Sequence, residues 1–384
     1  MRLMRPCIGL LAVLTVLAAG WRAAPTHGQT ACTRGALSFS SWRIPGTDGR
    51  SGWRPLGVDG NRVVMVRGPG DLVSRPGPLT MALLTAGSAR YQSIPAGAYP
   101  HAGILQRWQF SWPWIVGVFN LRSSPTLGWT LWAGNVQTGQ HIVLDQGHAV
   151  STTRAVHAVP DFDLANGTVV WTSIVYTLRG EAAPRNRIAL YNLAAHHASF
   201  LPIPASPRRF ASPSLWGTHI VWERYTGVPC TNRRCPNSLI DLQLYDLATR
   251  NLRTLTRSSV RTGNSFSPGL WRSDLVFQHG RQDAQGGGIV ILVDLASHVP
   301  GKHRFWWQHF RYRVLQPQAT VELNVRDGLA SWDGGLADLA GGGSARLPLG
   351  EMQWSGGRSL VVQPIPPSGP APYSLLHSIR QCSR

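Results

Sequence analysis

The chain has 384 residues, enough for two or three ordinary domains or one large all-β domain. A hydrophobic content of 43% supplies ample core, and 14% charged residues is too few for a disordered polymer. The formal net charge of +19, from 37 basic against 18 acidic residues, attracts anionic polymers or surfaces.

Lys302 is the sole lysine, so the arginine excess reads as compositional bias. A solvated basic surface is therefore preferred over a nucleic-acid site.

Residues 1–20 carry the marks of a secretory signal: Arg2 and Arg5, an apolar run over 8–19, then small residues at Ala18, Ala19 and Gly20. Cleavage is expected between 20 and 31, with an uncleaved anchor as the alternative. No lipobox precedes Cys32, and no later run reaches membrane-spanning length. The chain is expected to be secreted or to sit outside the cytoplasm, with 32–384 as a single domain.

Loss of the signal removes Cys7 and leaves Cys32, Cys230, Cys235 and Cys382, an even number suited to two disulfides in an exported protein. Spacing favours Cys230–Cys235 as a local staple and Cys32–Cys382 as a tie between the chain ends. Zinc is the competing use, but no second close pair or His-x-His completes four ligands. Neither a metal nor a cofactor is expected.

From Cys32 onward short apolar segments alternate with turns rich in Gly, Asn and Asp, which is how strands read. A spare strand at 35–44 comes first. Paired segments follow at 58–65 with 79–84, 112–118 with 129–136, and 164–171 with 188–193. The clearest unit, 212–256, contains four segments, and Leu242 and Leu244 alternate with Gln243 and Tyr245 as on a half-buried strand.

Further units lie at 270–277 with 289–295, 325–332 with a weak partner over 336–339, and 354–362 with 373–376. Corresponding positions Met65, Gly117, Trp171, Trp222, Phe277 and Trp332 are 52, 54, 51, 55 and 55 residues apart, and the last step, to Val362, is 30. A period near 50 with four strands per unit predicts an all-β fold, a β-propeller of four-stranded antiparallel blades. Seven blades are expected, closed by pairing the N- and C-terminal strands. Six blades, with 318–382 as one irregular blade, is the alternative.

An apolar strand ending in Trp, followed by Leu244-Tyr245-Asp246-Leu247-Ala248 and Leu255-Thr256, resembles the repeat of TolB-type propellers. Residues 213–256 carry the resemblance best. It implies the propeller fold and an exported setting. The family's Ser-Pro-Asp-Gly turn is matched only by Ser267-Pro268-Gly269 or by Trp216-Gly217-Thr218, and no counterpart of TolB's α/β domain lies between Cys32 and Val58.

No Gly-x-Ser-x-Gly elbow or His-Glu-x-x-His motif is present. Residues 48–53 resemble a sialidase-type Asp box only as a turn. His196 and His197, adjacent on an extended chain, point to opposite faces. Paired carboxylates for glycoside cleavage are available in Asp161 and Asp163, two apart and on one side of a strand, with Glu223 and Asp241; the ordinary use of Asp at turns weighs against them.

Two loops carry the ligand-binding expectation. One presents Arg233 and Arg234 between Cys230 and Cys235. The other, 302–313, interleaves His303, Arg304, Trp306 and Arg311 with further aromatics, a pattern suited to stacking on sugars; the same stretch also reads as an outer strand, which is favoured. The sequence thus points to a monomeric, non-enzymatic binding or scaffold module for a protein or an anionic polysaccharide of the cell envelope. A propeller glycoside hydrolase or lyase using carboxylates near the central channel is the alternative.

Overall fold

A computed structural model describes residues 37–47, 52–68, 77–121, 128–148, 155–177, 185–226, 239–259, 261–280, 288–320, 323–332, 334–346, 351–356, 358–363 and 374–381. These form strands in seven antiparallel blades, and the described residues hold no helix beyond two 3₁₀ turns, at Ala96–Ala98 and Trp306–His309.

The inner strands are Trp53–Asp59, Ala102–Ser111, Phe162–Ala165, Phe210–Trp216, Asn264–Trp271, Asn324–Arg326 and Glu351–Gly356. Each neighbours the next in chain order, and the last returns to the first, so the seven make a closed ring around a central channel. Gly77–Pro78 extends blade two, and Ala155–His157 pairs with the second strand of blade three, as Phe162–Ala165 does.

Every blade begins with a hairpin turned by two residues. The second strands start at Arg62, Trp114, Thr168, His219, Asp274, Leu329 and Ser359. The expected correspondence of Met65, Gly117, Trp171, Trp222, Phe277, Trp332 and Val362 therefore holds residue for residue.

A blade is apolar on both faces, and only a neighbour can bury each of them. Accordingly a separate hydrophobic cluster fills the space between each adjacent pair of blades: Phe110 and Trp132 between one and two, Trp222 and Phe210 between three and four, Phe277 and Trp307 between four and five.

Blade seven closes the ring. Leu37–Arg43 pairs antiparallel with Leu375–Gln381 over the full seven residues, and the six-blade alternative falls. The closure extends past the strand: Ile44 N–H donates to Ser374 C=O at 3.0 Å, and the Thr47 hydroxyl accepts from Ser374 N–H at 2.8 Å. Closure removes the two edges that an open sheet would leave for aggregation.

Two local expectations are corrected. Ser267-Pro268-Gly269 is a bulge inside the inner strand of blade five, not a turn, with Ser267 at φ 50°. Its counterpart Ser212 in blade four has φ 46°. The stretch 302–313 is not one strand: the aromatics fold into the 3₁₀ turn Trp306–His309, which buries Trp307, and the strand begins at Arg311.

The four cysteines, Arg233, Arg234 and the N-terminal segment lie outside the described residues.

Ile379, packed with Leu37, Leu329, Leu336 and Leu360, sits at the closure. Ile379→Ala is expected to cost about 2–5 kcal/mol in urea unfolding. Ser40→Ala, exposed on the partner strand, is expected to cost less than about 0.5 kcal/mol.

Candidate functional site

At the end of the ring where the inner strands begin, blades three to five turn polar. The second-strand position occupied by Val66 and Val118 in blades one and two becomes Thr172, Glu223 and Gln278 in blades three, four and five, all three buried. A charged group at a core position needs partners, and neighbouring blades supply them.

Glu223 Oε1 accepts the Ser267 N–H at 2.7 Å, and the Ser212 side chain also bonds its carboxylate. Asp161, immediately ahead of the inner strand of blade three, accepts the Ser212 N–H on Oδ2 at 3.2 Å. Ser212 therefore bridges the two acids. Asp161 is held by Arg107 of blade two, whose side chain is 59% exposed against 16% for the aspartate. Arg209 lies 5.2 Å from the ring centroid of Tyr225, and Tyr225 bonds Glu223.

The two carboxyls occupy opposed environments. Burial pushes Glu223 upward, and the nearby Asp161 charge adds to this; Ser267, Ser212 and Arg209 oppose. Tyr225 is raised as well, first by burial and then by Glu223, so its phenol stays protonated and able to donate. Asp161 is the outward, arginine-paired member. A carboxyl pushed upward by burial beside a second, arginine-paired carboxyl is the arrangement from which acid–base chemistry is built.

The other acids have structural roles. Asp163 accepts the Leu215 N–H of the next blade at 2.9 Å, and its carboxyl is raised by burial, with Arg326 opposing. Arg326, from blade six, reaches across the ring to the Leu164 carbonyl at 2.8 Å. Asp241 accepts the Ser258 N–H at 2.6 Å and fixes the loop between blades four and five.

Of the expected ligand-binding residues, Arg304 and Trp306 line a cavity between blades four and five. His303 packs edge-on to His309, with ring centroids 4.7 Å apart. Arg311 is exposed at the start of its strand, and its N–H donates to Ser297 Oγ at 2.6 Å. Sequence reasoning missed Arg107, Arg209 and Tyr225; the one signal for Tyr225 was its place two residues beyond Glu223 on the same strand. Among the described residues, no group of three or more His, Cys, Asp and Glu side chains converges to hold a metal ion.

No protein-family model and no curated protein sequence matches the chain. Among solved structures it is similar to an oligogalacturonate lyase in complex with manganese, with 11% identity over 91% of this chain and 99% of that one, TM-score 0.49. It is also similar to the acylaminoacyl peptidase of Pyrococcus horikoshii, with 10% identity over 89% of this chain and 54% of that one, TM-score 0.49; the chain spans about half of that enzyme. A protein described as TolB from Agrobacterium tumefaciens shows 11% identity over 59% and 75% of the two chains, TM-score 0.34.

The expectation of a non-enzymatic binding or scaffold module is corrected. The ring gathers two acids, Asp161 and Glu223, into one hydrogen-bonded group through Ser212.

The role of Asp163 as a bond between blades has a direct consequence. Asp163→Asn still accepts the Leu215 N–H and carries no buried charge. Because the raised carboxyl destabilises the native state progressively as pH rises through its folded value, the Asn variant should gain on the parent with increasing pH. Asp163→Leu leaves the N–H unpaired and should lose about 1–3 kcal/mol in the same urea titrations.

Proposed function

We propose that the chain is an exported glycoside hydrolase on a TolB-type propeller, cleaving an acidic polysaccharide at the mouth of the ring. The carrying observation is the pair Asp161 and Glu223, bridged by Ser212, with one acid paired to Arg107 and the other pushed upward by burial.

Glycoside cleavage needs a carboxylic acid that keeps its proton and a carboxylate that does not. Glu223 takes the first role. Its proton passes through the half-buried Ser212 hydroxyl to the glycosidic oxygen as the bond to the anomeric carbon breaks. Asp161 takes the second, facing the positive charge that develops at that carbon; water then adds there, and the proton it loses returns through Ser212 to Glu223. Tyr225 and Arg209 keep Glu223 positioned. Arg107, largely exposed beside Asp161, meets the acidic substrate, and the +19 charge favours its approach.

The state of Tyr225 separates hydrolysis from elimination. A lyase needs an unprotonated base to take a proton next to the substrate's carboxylate, and a phenol driven upward by burial and by Glu223 stays protonated. Hydrolysis is therefore preferred over the lyase form of the same reading.

Release of reducing ends from pectate, alginate and hyaluronan, with cellulose oligomers as neutral controls, tests the reading. Glu223→Gln and Asp161→Asn should each lower kcat by about 10²–10⁴ while leaving the fold intact. Full activity in Glu223→Gln, or products carrying a new ultraviolet-absorbing double bond, would contradict it.

A further inference from the structure

Between blades four and five lies a cavity of about 310 Å³ whose lining includes neither Asp161 nor Glu223. One wall is the end of blade four and the loop that follows, residues 254–258 with 262, 263 and 265; the other is the segment 304–307, and His279 completes the lining. Its size is at the small end of ligand pockets, roughly 300–1,000 Å³, and suits a single ring.

Both walls are built before any ligand arrives. Phe305 stacks on Trp307 with centroids 4.4 Å apart and planes 7° from parallel, and His279 meets Trp307 edge-on at 4.4 Å. The Phe305 N–H donates to Gln308 Oε1 at 3.0 Å, which fixes the turn. Opposite, Ser259 and Thr262 bond each other reciprocally, and Asp241 holds Ser258.

The chemistry of the lining is specific. Arg304 lies 5.0 Å from the centroid of the Phe305 ring, and Arg257 stands exposed on the facing wall. Among the described residues neither arginine is in an ion pair. Burial drives His279 down to about 4, so it is neutral at physiological pH and adds no charge. The Trp306 indole N–H is buried without an acceptor. Thr254, Ser258 and Thr262 bring hydroxyls to the lining.

Two unpaired guanidiniums, an aromatic wall and a set of hydroxyls match a ring with one apolar face, several hydroxyls and one carboxylate. We infer that this cavity is a second carbohydrate site, separate from the paired acids, that takes one uronic-acid residue of an acidic polysaccharide. The aromatic wall covers the C–H face of the sugar, and Arg257 and Arg304 receive its carboxylate in charge-assisted hydrogen bonds. This site does not depend on Asp161 and Glu223, and it would hold a chain whether or not the ring cleaves it.

The test is calorimetric titration of the full chain with trigalacturonate, and with cellotriose as the neutral arm. Trigalacturonate is expected to bind and cellotriose to bind at least about tenfold more weakly. Arg257→Ala/Arg304→Ala should weaken trigalacturonate about tenfold or more, whereas Glu223→Gln and the exposed pair Arg250→Ala/Arg253→Ala leave it unchanged. Unchanged affinity in Arg257→Ala/Arg304→Ala, equal weakening by Arg250→Ala/Arg253→Ala, or no binding by the parent chain overturns the inference. Binding retained in an inactive Glu223→Gln, or a parent that binds without cleaving, separates this site from the catalytic reading.

Discussion

Inner strands of adjacent blades run side by side without forming a ladder, so their backbone N–H groups must find partners elsewhere or be left unpaired inside the ring. The chain meets this need with side chains sent from one blade to the next. Gln109 accepts the Leu164 N–H at 2.7 Å, Asp163 that of Leu215 at 2.9 Å, and Ser214 that of Leu270 at 3.0 Å. These three occupy one equivalent position in blades two, three and four. In blades one and five the same position is Gly57 and Gly269, where an added Cβ would come within 2.5 Å of Phe110 and 2.3 Å of Val325. One location thus has two solutions: a hydrogen bond, or a gap that admits the neighbour's side chain.

The paired acids arise from the same constraint one step nearer the mouth. Bulges in blades four and five place Ser212 and Ser267 in the left-handed region and turn their N–H groups toward the preceding blade. Such backbone costs of order 1–3 kcal/mol, and it persists where surroundings enforce it. Asp161 and Glu223 are those surroundings. A residue that holds a strained serine is also fixed in orientation, so packing of the ring and preorganisation of the acids are one arrangement. The desolvation that raises Glu223 follows from placing a carboxyl where blades one and two have valine.

The repeat was legible because it rests on local patterns: two-residue turns, an apolar second strand and a spacing near 50. The spare strand at 35–44 also foretold the closure, since a short last unit lacked a partner for its final strand. The site was legible only in part. Asp161, Asp163, Glu223 and Asp241 could be named as acids, but their roles depend on blades about 50 residues away. Asp163 and Asp161 do face the same neighbour, as two-residue spacing requires, yet one supports a straight strand and the other a bulge. The segment 302–313 misled for a related reason. Its alternation resembles a strand, while stacking of Phe305 on Trp307 and the bond between Phe305 and Gln308 favour a tight turn.

The proposed chemistry depends on burial raising the Glu223 carboxyl beside the arginine-paired Asp161. The direct measurement is a carbon-13 titration of glutamate carboxyls in the full chain, with Glu223→Gln to assign the signal. The account predicts a carboxyl that remains protonated well above the ordinary glutamate range of about 4.3 and disappears in the variant. A Glu223 signal that titrates within the ordinary range would contradict it.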